Sequence, residues 1–139
     1  QILRAQRTDP EATGADAISA AARQLAETLH LAAICSFTAS GTTAMRAARE
    51  RPQTPVIALS PVLNTARRLS LVWGLHCVVS EERHDLDAMV DRACQVAHEE
   101  GFAKPGERII LTAGVPLGTP GSTNMLRIAF LSEDGTHAI

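Results

Sequence analysis

The residues best suited to chemistry in this chain form one short run, Thr38-Ala39-Ser40-Gly41-Thr42-Thr43, with four hydroxyls and a glycine in six positions. Hydroxyls and backbone N–H groups bind anions, and a glycine without a side chain lets a phosphate approach the main chain. The same residues have a plainer use, in which Ser40 or Thr42 caps the helix that follows, and one loop can do both. A second run, Gly114 to Asn124, is rich in Gly, Pro, Ser and Thr and too long for a tight hairpin. Loops of this kind occur both as binding loops and as irregular connections. Neither run is a Walker motif, which ends in Gly-Lys-Ser or Gly-Lys-Thr, and neither is a Rossmann fingerprint.

Other reactive side chains lack partners at useful spacing. There is no GxSxG elbow and no HExxH, and His30, His76, His84, His98 and His137 show no ligand pairing, so neither a catalytic residue nor a metal ligand is expected. Glu81, Glu82, Asp85, Asp87 and Asp91 gather around a helix start, where carboxylates complement the helix dipole, and read as a solvated face. Cys35, Cys77 and Cys94 are odd in number, have no CxxC spacing and sit in apolar runs, as reduced core thiols would. Trp73 is expected in the core or at an interface. Arg67 and Arg68 are adjacent, which suits either a solvated pair or a subunit contact.

The elements that must position the two loops follow from periodicity. Ile18, Ala22, Leu25 and Leu29 share one face of an alanine-rich helix from Asp16 to about Leu31. Residues 32–37 make a short apolar strand, and a helix starts near Thr42 or Thr43, stops before Pro52 and carries Arg46, Arg49, Glu50 and Arg51 outward. A strand at 56–59 is followed by Ser60-Pro61, a cap with proline at the first helical position, and by a helix bearing Val62, Ala66, Leu69 and Trp73 up to Gly74. A strand at 75–79 leads through Asp85, a cap, into a long helix with Leu86, Met89, Val90, Ala93 and Ala97 facing inward, ending at Gly101. Strands at 108–113 and about 125–131 close the order.

Alternating helices and strands predict an α/β fold with three layers, α/β/α, around a mainly parallel five-stranded sheet whose last strand, joined by a loop without a helix, is antiparallel. The phosphate-suited loop then lies beyond the carboxyl end of a parallel strand, where such sheets bind ligands.

With 139 residues, 45% of them apolar, the chain supports one domain with a full core and not two. A net charge of -2, with the basic residues dispersed, argues against nucleic acid as a partner. No apolar stretch reaches the roughly 18 residues that span a bilayer, so no membrane contact and a cytoplasmic location are expected. Residues 1–14 begin with Gln1 and are mostly polar, with Pro10 and Gly14 as breakers, as a linker from an upstream domain would be. Residues 15–131 form the domain, and 132–139 are expected to be a flexible tail.

Five separated motifs give this domain a resemblance. Phe37 to Ala44, then Arg51-Pro52 with Pro55 to Ala58, then Arg68-Leu69 with Trp73-Gly74, then Gly101-Phe102 with Gly106-Glu107, and last Gly121 to Asn124, resemble the C-terminal α/β domain of the pyruvate kinases in order and spacing. The likeness covers about Asp16 to Leu131. It implies a parent enzyme that transfers a phosphoryl group from phosphoenolpyruvate to ADP with Mg²⁺ and K⁺. Those ions and the catalytic groups belong to a (β/α)8 barrel of roughly 250 residues, which this chain does not contain. No cofactor is expected in the α/β domain itself, and alone it should be inactive.

The resemblance further implies a homotetramer and a phosphorylated allosteric effector. Thr38, Ser40, Gly41, Thr42 and Thr43 occupy the family's phosphate loop, and Gly118, Thr119, Pro120, Gly121 and Ser122 occupy the segment that closes over the effector. At one position the chain departs from the pattern: Met89 stands where the animal enzymes carry an arginine for a second phosphate. That favours a sugar monophosphate or AMP over fructose 1,6-bisphosphate. Two rival readings are a purely structural oligomerisation module, whose loops only cap helices, and a free-standing domain that binds a phosphorylated ligand.

Overall fold

The computed structural model describes residues 14–50, 52–81, 85–114, 123–135 and 138. Four helices and five strands follow along them, alternating as far as β4: α1 (Gly14–Thr28), β1 (Ala33–Phe37), α2 (Thr42–Arg49), β2 (Val56–Ser60), α3 (Leu63–Leu69), β3 (Leu75–Val79), α4 (Leu86–Glu99), β4 (Arg108–Ala113) and β5 (Met125–Phe130). The sheet order is β3-β2-β1-β4-β5, with β1, β2, β3 and β4 parallel and β5 antiparallel to β4. The three-layer fold with an antiparallel last strand is the one read from the sequence.

This order follows from the handedness of crossovers. Right-handed connections through α2 and α3 carry the chain from β1 to β2 to β3 along one face, and the return to β4 on the other side of β1 must pass over the opposite face. Alternate residues of each strand therefore enter different cores. Cys35, Ile57, Leu59, Ile109 and Leu111 pack with Met89, Val90, Ala93, Cys94 and Ala97 of α4. Ile34, Val56 and Ile110 pack with Ala22 and Ala26 of α1 and Ala47 of α2, and Ala58 packs with Ala44 of α2 and Leu69 of α3. Because β1 is the strand from which the winding departs both ways, the loops after β1 and after β4 leave the sheet side by side.

Several expectations need correction. Gly14 opens α1 instead of breaking the chain, and α1 ends at Thr28, before Leu31. His30 takes a positive φ of 53° and Leu31 N–H donates to Ala26 O, a left-handed stop that periodicity does not register. Pro61 is not the first residue of α3: Ser60 completes β2, its hydroxyl accepts from Val62 N–H at 3.2 Å, and Val62 is the extended cap residue. α3 also stops at Leu69. Leu71 N–H and Val72 N–H then bond back to the carbonyls of Arg68 and Leu69, three residues earlier. This tighter winding turns Trp73 off the apolar stripe, and it is 78% exposed, outside the core.

The tail and the basic face of α2 differ as well. Leu131 is buried and bridges to Ala138, whose N–H donates to Asp91 Oδ1 at 2.7 Å, so these described residues dock on α4 instead of hanging loose. Arg46 and Arg49 of α2 converge on the buried Asp16 of α1 at 3.3 and 2.7 Å, and the buried Glu50 meets Arg23 of α1 at 3.2 Å. That face of α2 is an interhelical ion-pair seam and not a solvated surface. The expected linker up to residue 13, Arg51, Glu82, His84 and His137 lie outside the described residues.

Candidate functional site

The hydroxyl-rich loop leaves the end of β1 and enters α2 within four residues, at the point where the sheet winding reverses. Its turn is built from inside. Thr38 is buried, and its Oγ1 accepts from Gly41 N–H at 2.7 Å, closing a short ring. Gly41 is the residue before the helix, at φ 98°, a left-handed conformation that costs an L side chain free energy. A Cβ there would also stand 3.3 Å from Leu69 Cδ2, a close approach to which that side chain would have to yield, and it is the conformation that demands glycine. No side chain caps α2 in the expected sense: the residue in the cap position is Gly41, and Ser40 Oγ reaches Thr42 N–H only at 3.4 Å.

The four hydroxyls divide into two kinds. Ser40 and Thr42 face each other at 2.9 Å on the accessible side of the loop. In such a pair one hydroxyl donates to the other, and the remaining proton is left to donate outward. Thr43 is 6% exposed and its Oγ1 pairs at 2.8 Å with Oγ1 of Thr123, itself 2% exposed, at the entrance to β5. The sequence grouped Thr38 and Thr43 with the phosphate ligands. In the structure their side chains shape the loop, and Thr43 could reach a ligand at the helix end through its main chain. The first N–H groups of α2 have no partner within the helix and carry the positive end of its dipole.

α3 supplies a wall that sequence reasoning missed. Thr65 Oγ1 donates to Ala39 O at 2.8 Å, and Arg68 Nη2 donates to Ser40 O at 2.8 Å. Arg68 is therefore seated on the loop and is not simply half of a solvated arginine pair. The i,i+3 spacing of Thr65 and Arg68 put both on one face of a helix, but which element that face meets depends on the strand order. Gly118, Thr119, Pro120, Gly121 and Ser122 lie outside the described residues.

Among the described residues neither cysteine nor acid chemistry is built here. Burial pushes the thiols of Cys35 and Cys77 up, for Cys35 with a contribution from nearby Cys94. Cys94 is pushed up to about 11 by burial and then by Asp91, against an opposing effect of Arg127. Cys35 and Cys94 are buried core thiols and Cys77 is half-buried on the edge strand β3, and the upward shift makes all three poor nucleophiles. Asp85 caps α4 by accepting from Asp87 N–H, and Asp87 lies 3.7 Å from Arg127. Among the described residues no three His, Cys, Asp or Glu side chains gather as a metal site. Met89 is buried in the α4 core and offers no donor to an anion.

Fold and loop together define an open, doubly wound α/β domain with a hydroxyl-lined strand-to-helix turn at its switch point. Residues 16–129 match the family described as pyruvate kinase, alpha/beta domain, and the chain belongs to that family. It is 51% identical over 133 residues to a pyruvate kinase of Methylorubrum extorquens, covering 96% of this chain and 28% of the relative. It is 40% identical over 127 residues to a pyruvate kinase of Agrobacterium vitis, covering 91% of this chain and 27% of the relative. Among solved structures, Cryptosporidium parvum pyruvate kinase in complex with ADP superposes with a TM-score of 0.78 at 26% identity, over 88% of this chain and 25% of that one. The chain thus spans about a quarter of the length of each of these relatives. Among the described residues no helix is long and apolar enough to cross a membrane.

Proposed function

We propose that this chain is the regulatory domain of a pyruvate kinase and binds a phosphorylated small-molecule effector on the loop from Thr38 to Thr43. The transfer of a phosphoryl group from phosphoenolpyruvate to ADP, with its Mg²⁺ and K⁺, belongs in this reading to the catalytic part of the parent and not to these residues. The observation that carries the proposal is the exposed Ser40–Thr42 hydroxyl pair at 2.9 Å at the entrance to α2, at the reversal of sheet winding. An anion placed there meets hydroxyl donors and the helix dipole together.

Burial of Met89, which leaves α4 without a cation at that position, favours one phosphate, as in a sugar monophosphate or AMP. The segment from Gly118 to Ser122 is assigned to closure over the effector. The domain also contributes homo-oligomer contacts, a role suited to the exposed Leu71 and Trp73. Calorimetric titration of the chain with AMP, glucose 6-phosphate, ribose 5-phosphate and fructose 1,6-bisphosphate tests the binding. A monophosphate is expected to bind most tightly, and silence from all four would remove the effector site.

A further inference from the structure

Arg68 occupies a position that the hydroxyl loop does not explain. It sits in the last turn of α3, exposed, and bonds through Nη2 to the carbonyl oxygen of Ser40 at 2.8 Å. The same atom lies 3.7 Å from where a Cβ on Gly41 would stand, directly beside the entrance to α2. A guanidinium has five donors, and this one spends a donor on a neutral carbonyl. Among the described residues no carboxylate pairs with it, so its charge is not cancelled. On α2 the arginines are differently engaged: Arg46 and Arg49 are turned onto Asp16.

Together with Thr65, which donates to Ala39 O, Arg68 also satisfies two successive carbonyl oxygens and so fixes the backbone of the loop. We propose that Arg68 is the specificity-determining cation of this site, pairing with the dianionic phosphate monoester while its contact to Ser40 holds the loop open to it. The inference rests on the effector reading above. It adds a charge from α3 to a loop otherwise made of neutral hydroxyls and a helix end, and a single guanidinium matches one phosphate and not two.

The test titrates the 139-residue chain with glucose 6-phosphate and AMP, with glucose and adenosine as uncharged controls, in the wild type and in Arg68→Gln and Arg68→Lys. Arg68→Gln is expected to weaken both phosphorylated probes about tenfold, the loss of one charge-assisted hydrogen bond, and to flatten the dependence of affinity on salt. Arg68→Lys should restore the salt dependence but only part of the affinity, because a lysine keeps the charge and loses the planar fork. An unchanged unfolding midpoint in Arg68→Gln places the loss at the site. Equal affinity of wild type and Arg68→Gln overturns the role of Arg68 and leaves the effector loop standing. Silence of the wild type toward both probes overturns the effector reading and the role of Arg68 with it.

Discussion

At the scale of single residues, the loop separates side chains that build the site from side chains that could touch a ligand. Thr38 and Thr43 are alike in sequence to Ser40 and Thr42, yet burial commits them to Gly41 and Thr123. Because the Thr43–Thr123 pair is buried, removing one hydroxyl strands the other without a partner, whereas removing both leaves an apolar contact. Thr43→Val and Thr123→Val should each lower stability by about 1–3 kcal/mol, and the double variant should cost less than their sum. Urea unfolding of the four proteins measures this cycle. Additive losses would mean that the two hydroxyls do not depend on one another. The sequence identified all four hydroxyls as one group because spacing carries no information on burial, and it is burial that divides them.

At the scale of elements, α2 is short, and its eight residues would not hold as an isolated helix. It is fixed by Ala44 and Ala47 against the sheet and by the ion pairs from Asp16 and Arg23 of α1. Asp16 is nearly inaccessible and faces two arginines, so Asp16→Asn leaves positive charge facing a neutral amide. Arg49 is half exposed and solvent screens part of the loss, so the expected cost is about 2 kcal/mol, below that of a fully buried pair. Denaturation with and without added salt checks the value, and a cost that vanished at high salt would assign the seam to the surface. Helix positions were legible from the apolar period, but the partners of Arg46, Arg49 and Glu50 were not, since each lies across from a helix about thirty residues away.

At the scale of the whole molecule, the sheet order brings the exits of β1 and β4 together, and the tighter winding after α3 leaves apolar side chains on the outside. Trp73 reports this directly, as the single tryptophan of the chain and 78% exposed. In dilute solution its fluorescence should be quenched by acrylamide nearly as well in the folded protein as in urea, with little shift of the emission maximum on unfolding. Strong protection of the folded form would return Trp73 to the core. Protection that grows with protein concentration would instead mark Trp73 as part of a homo-oligomer contact.

The sequence by itself determined the class of fold, the antiparallel last strand, the glycine-bearing loop at a strand end and membership of the pyruvate kinase α/β-domain family. Each of these is written in local periodicity or in the order of short motifs. Only the tertiary structure decided that Ser40 and Thr42 face outward while Thr38 and Thr43 are enclosed, that Arg68 of α3 rests on the loop, that α1 and α2 share an ionic seam around the buried Asp16 and Glu50, and that Trp73 lies outside. These are contacts between segments distant in the chain. They depend on which strand neighbours which and on where a helix winds tighter by one residue, and neither quantity is carried by the spacing of residues within one segment.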